Sequence, residues 1–315
     1  MKNPFVSILI PTYNREKLIA ESIQSALDQD YDNVEVVVVD NASTDGTWEQ
    51  IQRIASADAR VRAFRNDTNI GPVRNWIECA RNARGTFSKI LWSDDLIAPD
   101  FVSSTLPLFD ENVGFVYTGV RIFGSKRSNS YYMRGATGTF PSRDYIAAAL
   151  HGWNVPYSPG CVILRTADLQ RFLVADIPNR VCSDFSQHAI GNDLFLLLMV
   201  ASSYPKIGFI NRAISAFRDH QGSISASAEP GKLSLHYGMA KAYFAQIGKL
   251  DSDTIQRLDT ALLVELWRFK NNPFGLREIQ DFYPDDHHSR LNPLFLVEHF
   301  IKRGLQLVQR FFASA

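Results

Sequence analysis

The sequence predicts an α/β fold: a doubly wound, mostly parallel sheet with helices on both faces, followed by a helical C-terminal region. Over about the first 120 of the 315 residues, short apolar runs alternate with segments of helical periodicity, as in successive β-α-β units. The run at 34–39 is rich in valine, as expected for a parallel strand that is buried on both faces. From about residue 230 onward the periodicity is mostly helical.

The predicted elements follow one another in a regular order. Asn14 is a suitable N-cap for the first helix, and Pro72 can open the third. Residues 124–138 show no periodicity and predict a loop or a variable hairpin. The strands are expected at 6–10, 34–39, 61–65, 87–92, 113–123, 161–165 and 206–210, with helices near 19–27, 48–55, 73–80 and 142–151 and one starting near 193.

Composition sets the broad limits. Lys+Arg equals Asp+Glu at 33 each, which argues against a generic nucleic-acid binder. The three cysteines form no C-x-x-C pair, so we expect neither a disulfide scaffold nor a zinc site, and a reducing cytoplasm fits. The N-terminal segment does not resemble a secretory signal. No apolar run reaches the ~18 residues of a spanning helix, so we expect a soluble or peripheral protein.

Acidic residues follow two of the predicted strands directly. Asp40 ends the second strand, and Asp94 and Asp95 come just after 90–92. Carboxylates at the carboxyl ends of strands in an open parallel sheet face the ligand crevice. Two adjacent aspartates suit a hard cation with oxygen ligands, although a turn cap is the alternative. The pattern therefore predicts chemistry on a phosphorylated substrate, such as a nucleotide.

Five short motifs occur in a specific order. They are VSILIPTYN at 6–14, VVVDNASTDGT at 37–47, NIG at 69–71 with RN at 74–75, SDD at 93–95, and RDH at 218–220 with SIS at 223–225. Together they resemble the family 2 glycosyltransferases, which have the GT-A fold, over roughly residues 5–226. Residues 1–226 would then be the catalytic domain, with a nucleotide-binding half at about 1–123 and an acceptor half at about 124–226. Residues 227–315 form the helical C-terminal region.

The resemblance implies a metal-dependent, inverting transfer of a sugar. The donor would be a nucleoside-diphosphate sugar, with UDP- or dTDP-linked donors favoured, and the cofactor Mn²⁺ or Mg²⁺. The acceptor would be a hydroxyl of a saccharide or lipid-linked molecule, in surface polysaccharide synthesis. The protein would work in the cytoplasm or peripherally on the inner face of the membrane.

Several residues are candidates for the donor side. The resemblance implies Asp95 as a metal ligand, His220 as a second ligand, and Asp94 as a contact of the ribose or donor sugar. A carboxylate at Asp40 can accept a base imide N–H or a ribose hydroxyl, and a guanidinium at Arg218 matches a diphosphate. The remaining donor candidates are Tyr13 for stacking on the base, Pro11 and Thr12 beside it, Arg74 for phosphate or ribose, and Asp45, which is equally a turn cap. Tyr13, Arg74 and His220 are alternatively ordinary surface or loop residues.

The acceptor hydroxyl needs a general base. Asp193, at the start of an apolar helix, corresponds to the acidic catalytic residue of the family, and Asp184 is the reserve candidate. The alternative for Asp193 is a helix-start residue. The acceptor side is expected to include Trp153, Asn154, Tyr157, Ser158 and Gly160, which are otherwise ordinary core.

One position departs from the family pattern. Trp92 stands where many members carry a further acid, so metal binding would depend on Asp95 and a distant partner. A sugar-phosphate nucleotidyltransferase or a dehydrogenase would need glycines after the first strand, and Pro11 to Asn14 contains none. A nucleotide-sugar-binding protein that has lost catalysis is the non-enzymatic alternative.

The C-terminal region carries an amphipathic stripe. Leu294, Val297, Ile301, Leu305 and Val308 recur at helical spacing, and Lys302, Arg303 and Arg310 are basic. Such a helix suits an anionic membrane surface, packing on the catalytic domain, or a homodimer. Packing or dimerisation is the favoured interpretation.

Overall fold

The computed structural model describes residues 3–124, 129–133, 135–152, 154–220, 222, 228–248, 250–289 and 291–301. The chain forms two compact units. The first comprises Met1–Asp176 and Asp184–Ser227, and the second comprises Ile177–Ser183 and Ala228–Ala315. The segment 177–183, placed in the larger domain by the sequence analysis, therefore groups with the C-terminal residues. The domain boundary at 226 stays a prediction.

A mixed sheet dominates the first unit. In the described residues its strands are β1 Val6–Thr12, β2 Val34–Asp40, β3 Val61–Arg65, β4 Phe87–Ile90, β5 Leu96–Ile97, β6 Val113–Phe123, β7 Ser130–Tyr131, β8 Gly138–Pro141, β9 Val162–Arg165 and β10 Lys206–Arg218. Their order is β3-β2-β1-β4-β9-β6-β10-β5, with β7 on β6 and β8 on β10. Strands β3, β2, β1 and β4 run parallel, whereas β9 is antiparallel to both of its neighbours. The predicted mostly parallel sheet is confirmed.

Helices flank this sheet. Those of the first unit are α1 Ile19–Leu27, α2 Thr47–Ala57, α3 Pro72–Asn82, α4 Phe101–Thr105, α5 Ser142–Leu150, α6 Thr166–Phe172, α7 Phe185–His188 and α8 Asn192–Ser203. Ile8 and Val36 pack with Ile23 of α1 in one core cluster, while α3 packs against β1 and β2. The valines at 36–39 are almost fully buried. Burial on both faces explains why this strand is apolar at successive positions.

The first loop differs from its prediction. Helix α1 begins at Ile19, not directly after Asn14, so Asn14 as its N-cap is wrong. Asn14 has a left-handed backbone with φ of 51°, and its Oδ1 accepts a hydrogen bond from Thr44 N at 2.9 Å. The side chain thus joins the loops after β1 and β2, a tertiary bond that local capping rules do not contain.

Two strand ends also differ from expectation. Strand β4 ends at Ile90, so Trp92 belongs to the following loop. The strand expected at 206–210 continues to Arg218 as β10, with irregular pairing to β6 between Ile210 and Ser215. The extension brings Arg218 to Asp95, since Arg218 N donates to Asp95 Oδ1 at 2.8 Å.

The second unit contains α9 Lys232–Ile247 and α10 Ser252–Arg268, together with a helix over 293–301. Asp259 of α10 is buried and accepts hydrogen bonds from Tyr283 Oη at 2.8 Å and His287 Nε2 at 2.9 Å. The rest of the predicted amphipathic stripe, Leu305 and Val308, lies outside the described residues. Within the described ranges, every helix is too short or too polar to cross a bilayer.

The second unit should lose stability in mild acid because of His236. Its Nδ1 donates to Lys232 O at 2.8 Å, and its Nε2 accepts from Ser183 Oγ at 2.9 Å. Burial lowers the pKa of His236 from 6.5 to about 4. The unfolded chain therefore binds a proton first as the pH falls, and stability present above pH 6.5 is lost toward pH 4. We expect a loss of about 2 kcal/mol between pH 7 and pH 5.

Urea unfolding at both pH values, compared with His236→Gln, checks this expectation. The variant should show a smaller loss of unfolding free energy between pH 7 and pH 5 than the wild type. Equal losses in the two proteins would show that His236 does not titrate as described.

Candidate active site

The loops after β1, β2 and β4 lie at one edge of the sheet. Thr12 at the end of β1 is in register with Asp40 at the end of β2, and Leu9 is in register with Ile90 at the end of β4. Carboxyl ends of neighbouring parallel strands form the usual ligand crevice of an open α/β sheet. The sequence motifs after these strands are therefore brought to one place.

Asp40 is fully buried and strongly bonded. Its carboxylate lies 3.1 Å from Arg65 Nε and accepts hydrogen bonds from the backbone N and the hydroxyl of Ser43. Its predicted contact with the base or ribose stays a prediction, and a nucleotide would have to share these oxygens with Ser43 or Arg65.

Asparagine side chains fasten the loops that carry the second and third motifs. Asn41 Nδ2 donates to Asn69 Oδ1 at 2.8 Å, and Asn41 Oδ1 accepts from Ile70 N at 3.0 Å. Asn75 Nδ2 donates to Val39 O at 3.0 Å. Part of the motif pattern thus encodes loop structure rather than substrate contact.

Asp45 likewise joins two loops. It accepts hydrogen bonds from Thr47 N at 3.1 Å and from Glu16 N at 3.2 Å. Burial acts to raise the pKa of Asp45, but its hydrogen bonds from Thr47 and Glu16 outweigh this and lower it. The turn-cap interpretation accounts for the contact with Thr47, whereas the contact with Glu16 is a tertiary bond to the loop after β1.

The loop after β1 offers one aromatic face. Pro11 and Thr12 are buried, whereas Tyr13 is 40% exposed. Thr12 Oγ1 is buried and finds no hydrogen-bond partner among the described residues. The base contact predicted for Tyr13, Pro11 and Thr12 stays a prediction.

Arg74 contacts α7 and is not simply a solvent-exposed surface residue. Its guanidinium donates to Ser186 Oγ at 2.5 Å, and Ser186 in turn bonds to Asp184, the N-cap of α7. Gly71 makes this approach possible, because it has φ of +84° and a Cβ there would lie 3.0 Å from Ser186 O. Arg74 as a donor contact stays a prediction.

Asp94 is the centre of a charged cluster. Its Oδ2 lies 2.9 Å from His220 Nε2 and 3.4 Å from Arg15 Nε. These side chains are partly exposed, at 15% for Asp94 and 24% for each partner. The cluster joins the loop after β1, the loop after β4 and the end of β10. His220, predicted as a ligand together with Asp95, thus bonds directly to Asp94.

Asp95 is only 6% exposed. Its Oδ1 accepts from Arg218 N, and the described residues give no hydrogen-bond partner to Oδ2. Burial, followed by the charge of Asp94, raises the pKa of Asp95 to about 8. Lys89 and Arg218 lower this pKa only in part, so a bound cation would favour the ionised carboxylate further.

Arg218 is bonded on three sides. Its Nε donates to Asp94 O at 2.9 Å, its Nη2 lies 2.6 Å from Glu21 Oε2, and its guanidinium stacks on Phe123 at 4.5 Å. The predicted diphosphate contact stays a prediction, and it would compete with Glu21.

The described residues contain no group of three or more His, Cys, Asp or Glu that would hold a metal by themselves. Both ring nitrogens of His220 are engaged, Nε2 with Asp94 Oδ2 at 2.9 Å and Nδ1 with Gly222 N at 3.2 Å. A divalent cation here would take Asp95 from the protein and its remaining ligands from the substrate and water, and His220 would have to give up one of these bonds to join them. Oxygen and imidazole donors suit Mn²⁺, and oxygen donors suit Mg²⁺.

Asp193 lies in the first turn of α8 and is 7% exposed. Its Oδ1 accepts from Gly191 N at 3.0 Å and Leu194 N at 2.8 Å. The helix N-terminus stabilises a carboxylate there. Asp184, the reserve candidate, is an exposed helix cap whose bond from the Ser186 hydroxyl lowers its pKa, so it is poorly suited to accept a proton.

Tyr132 was missed by the sequence analysis and lies near Asp193. It has a left-handed backbone with φ of 62°, which is rare for a bulky residue. Burial raises the pKa of Tyr132, and Cys161, Tyr157 and Asp193 add to this effect. Tyr157, predicted on the acceptor side, thus shares its surroundings with Asp193. Trp153 lies outside the described residues, and Asn154 is exposed.

The loop after β4 is braced against the other predicted acceptor residues. Trp92 Nε1 donates to Ser158 Oγ at 3.0 Å, which also accepts from Gly160 N. The fully buried Lys89 donates to Ile90 O at 2.8 Å and to Gly160 O, and burial lowers its pKa to about 7. Trp92, the departure from the family pattern, therefore links the SDD motif to the predicted acceptor side.

Gly160→Ala should be strongly destabilising because a Cβ would lie 2.6 Å from Trp92 Nε1. We expect a loss of about 1–3 kcal/mol in unfolding free energy, measured by urea denaturation. In a Trp92→Phe background, where the five-membered ring is absent, the same change should cost less. Equal costs in both backgrounds would show that this close approach is not what requires glycine.

Two solved structures with the same fold indicate the fold class of this protein. The first 349 residues of S. aureus TarS in complex with UDP-GlcNAc superpose with a TM-score of 0.64 at 20% identity, over 84% of this chain and 73% of that one. The mannosyltransferase PcManGT from Pyrobaculum calidifontis, in complex with GDP-Man and Mn²⁺, gives a TM-score of 0.53 at 19% identity, over 87% and 78%. The fold is that of a GT-A glycosyltransferase.

The chain belongs to glycosyl transferase family 2, whose model matches residues 7–173. It is 29% identical over 226 residues to the Escherichia coli UDP-Glc:alpha-D-GlcNAc-diphosphoundecaprenol beta-1,3-glucosyltransferase WfaP, covering 70% of this chain and 80% of that protein. It is 37% identical over 112 residues to an uncharacterized glycosyltransferase of Haemophilus influenzae, covering 36% and 45%. It spans less than half of the latter protein.

Proposed function

We propose that this protein transfers a sugar, with inversion, from a nucleoside-diphosphate donor to a hydroxyl of a saccharide or lipid-linked acceptor in surface polysaccharide synthesis. The observation that carries the proposal is the buried Asp95 at the crevice edge, beside the Asp94–His220–Arg15 cluster. The relative WfaP is named for a UDP-Glc donor and a diphosphoundecaprenol acceptor, which supports the same classes here. The free cysteines fit a cytoplasmic location.

The donor would lie across the ends of β1, β2 and β4. Tyr13 offers a ring for the base, with Asp40 and Thr12 at its edge. Asp95, with His220 if it releases one of its hydrogen bonds, would hold a divalent cation, which would supply Lewis-acid stabilisation of the leaving diphosphate. Arg15, Arg74 and Arg218 add positive charge on the same side, where negative charge develops as the glycosidic bond breaks.

The acceptor would approach from the side of Asp193. Its carboxylate accepts the proton of the acceptor hydroxyl while that oxygen attacks the anomeric carbon. The bond from the anomeric carbon to the diphosphate oxygen breaks in the same displacement, so the anomeric configuration inverts. Tyr157, Ser158 and Gly160, braced by Trp92, would shape this side.

A thermal-shift screen tests the donor class. UDP-glucose, UDP-GlcNAc, a dTDP-hexose and GDP-mannose are each added with Mn²⁺, Mg²⁺ or EDTA. A ligand at ~100 times its dissociation constant stabilises the fold by ~2.7 kcal/mol. We expect a shift for a UDP- or dTDP-linked sugar that requires the cation. A shift with GDP-mannose alone would reassign the base, and no shift with any donor would contradict the proposal.

A further inference from the structure

The helix over 293–301 in the second unit exposes its large apolar side chains instead of burying them. Its outward side chains are large and apolar: Leu294 is 74% exposed, Val297 57%, Phe300 51% and Ile301 59%. Soluble proteins normally place such a stripe against their core. A contiguous exposed stripe of this kind marks a surface that meets another apolar phase or partner.

One side of this helix contacts α10. Arg257 of α10 forms an ion pair with Glu298, and its guanidinium lies 3.9 Å from the centre of the Phe295 ring. Phe295 and Glu298 are three residues apart and share one face. The helix is thus attached to α10 through Phe295 and Glu298. Leu294 and Ile301 are four and three residues from Glu298 and border this contact, but they remain more than half exposed.

The charges that follow the helix in the sequence favour an anionic membrane surface as the partner of the stripe. Lys302, Arg303 and Arg310 follow it in the sequence, whereas the only acidic residue over 291–315 is Glu298, which is paired. The chain as a whole has a net charge of zero, so this segment concentrates positive charge next to apolar side chains. Anionic headgroups above acyl chains match both features, while a second copy would bring like charge to the contact.

We propose that the stripe of Leu294, Val297, Phe300 and Ile301 inserts into the interface of an anionic lipid bilayer, and that the basic residues following it in the sequence strengthen binding to anionic headgroups. The helix would lie in the plane of the membrane surface, as a peripheral anchor. This inference needs no donor or metal, so it stands or fails separately from the proposed transfer reaction.

Vesicle co-sedimentation of the full chain tests the proposal. Vesicles of phosphatidylcholine with about 30% phosphatidylglycerol are compared with pure phosphatidylcholine, because anionic lipid should raise binding. Binding to the anionic vesicles should fall ~10-fold or more in the triple variant Leu294→Gln, Val297→Gln, Ile301→Gln. Lys302→Gln with Arg303→Gln should weaken binding and reduce its dependence on salt.

Ile247→Gln is the matched control, since Ile247 is also exposed, at 42%, but ends α9 outside the stripe. It should bind vesicles as the wild type does. Circular dichroism and urea unfolding establish that the triple variant is folded. Three results would overturn the proposal: binding of the wild type to neither kind of vesicle, binding of the triple variant as strong as that of the wild type, or equal binding to neutral and anionic vesicles. Sedimentation velocity gives the alternative outcome. If the wild type is a dimer that does not bind vesicles, and the triple variant is a monomer, the stripe would be assigned to contact with a second copy.

Discussion

Replacing Asp193 by asparagine is expected to lower sugar transfer by ~10²-fold or more, because the acceptor hydroxyl loses its general base. Asparagine keeps the side-chain oxygen that accepts from Gly191 N and Leu194 N, so the start of α8 should be preserved. The measurement is the rate of transfer at saturating donor, with donor affinity determined separately by calorimetry. Donor affinity should be unchanged.

Asp184→Asn is the matched control for this experiment. Asp184 caps α7, and asparagine is an equally good cap, so transfer should change little. A loss in Asp184→Asn with none in Asp193→Asn would exchange the two assignments. Equal background activity in the wild type and Asp193→Asn would favour the alternative of a nucleotide-sugar-binding protein without catalysis.

The second large effect is expected from Asp95→Asn. The neutral amide is a poor cation ligand, so metal-dependent stabilisation of the leaving diphosphate should be lost, lowering transfer by ~10²-fold or more. The metal-free variant should be at least as stable as the wild type, because it removes a carboxyl group that ionises freely in the unfolded chain but is kept from ionising by burial next to Asp94 in the folded protein. Transfer assays with Mn²⁺ and Mg²⁺, together with urea unfolding in EDTA, measure both effects.

Asp110→Asn serves as the control, since Asp110 is an exposed turn residue whose carboxylate accepts from Asn112 N. It should leave transfer and its metal dependence unchanged. An Asp95→Asn enzyme that keeps its full rate with Mn²⁺ would contradict the assignment of this carboxylate.

The sheet could be predicted because its strands are buried on both faces, and burial of this kind appears in the sequence as apolar runs such as 36–39. Asn14 was misassigned for the opposite reason. Its type suits an N-cap, but a tertiary bond to Thr44 decides its conformation. Local propensity carries no information about a partner 30 residues away.

The sequence predicted several residues of the candidate site but not the hydrogen bonds and ion pairs that connect them. Asp95 follows a strand and was found for that reason, but its partner Arg218 lies 123 residues further along the chain. Arg15 was overlooked, although a basic residue in the loop after β1 was a usable signal. Lys89 and the Trp92–Ser158 bond were out of reach, because a buried lysine inside an apolar strand has no sequence pattern of its own.

The account depends on a cation at Asp95 that holds the donor diphosphate. Isothermal titration of UDP and UDP-sugars into the wild type and Asp95→Asn, with Mn²⁺ and then with EDTA, tests this most directly. We predict binding by the wild type that EDTA weakens by ~10-fold or more, and weak binding by Asp95→Asn that is the same in Mn²⁺ and EDTA. Equal affinity of the wild type in Mn²⁺ and EDTA, or an undiminished response to Mn²⁺ in Asp95→Asn, would contradict it.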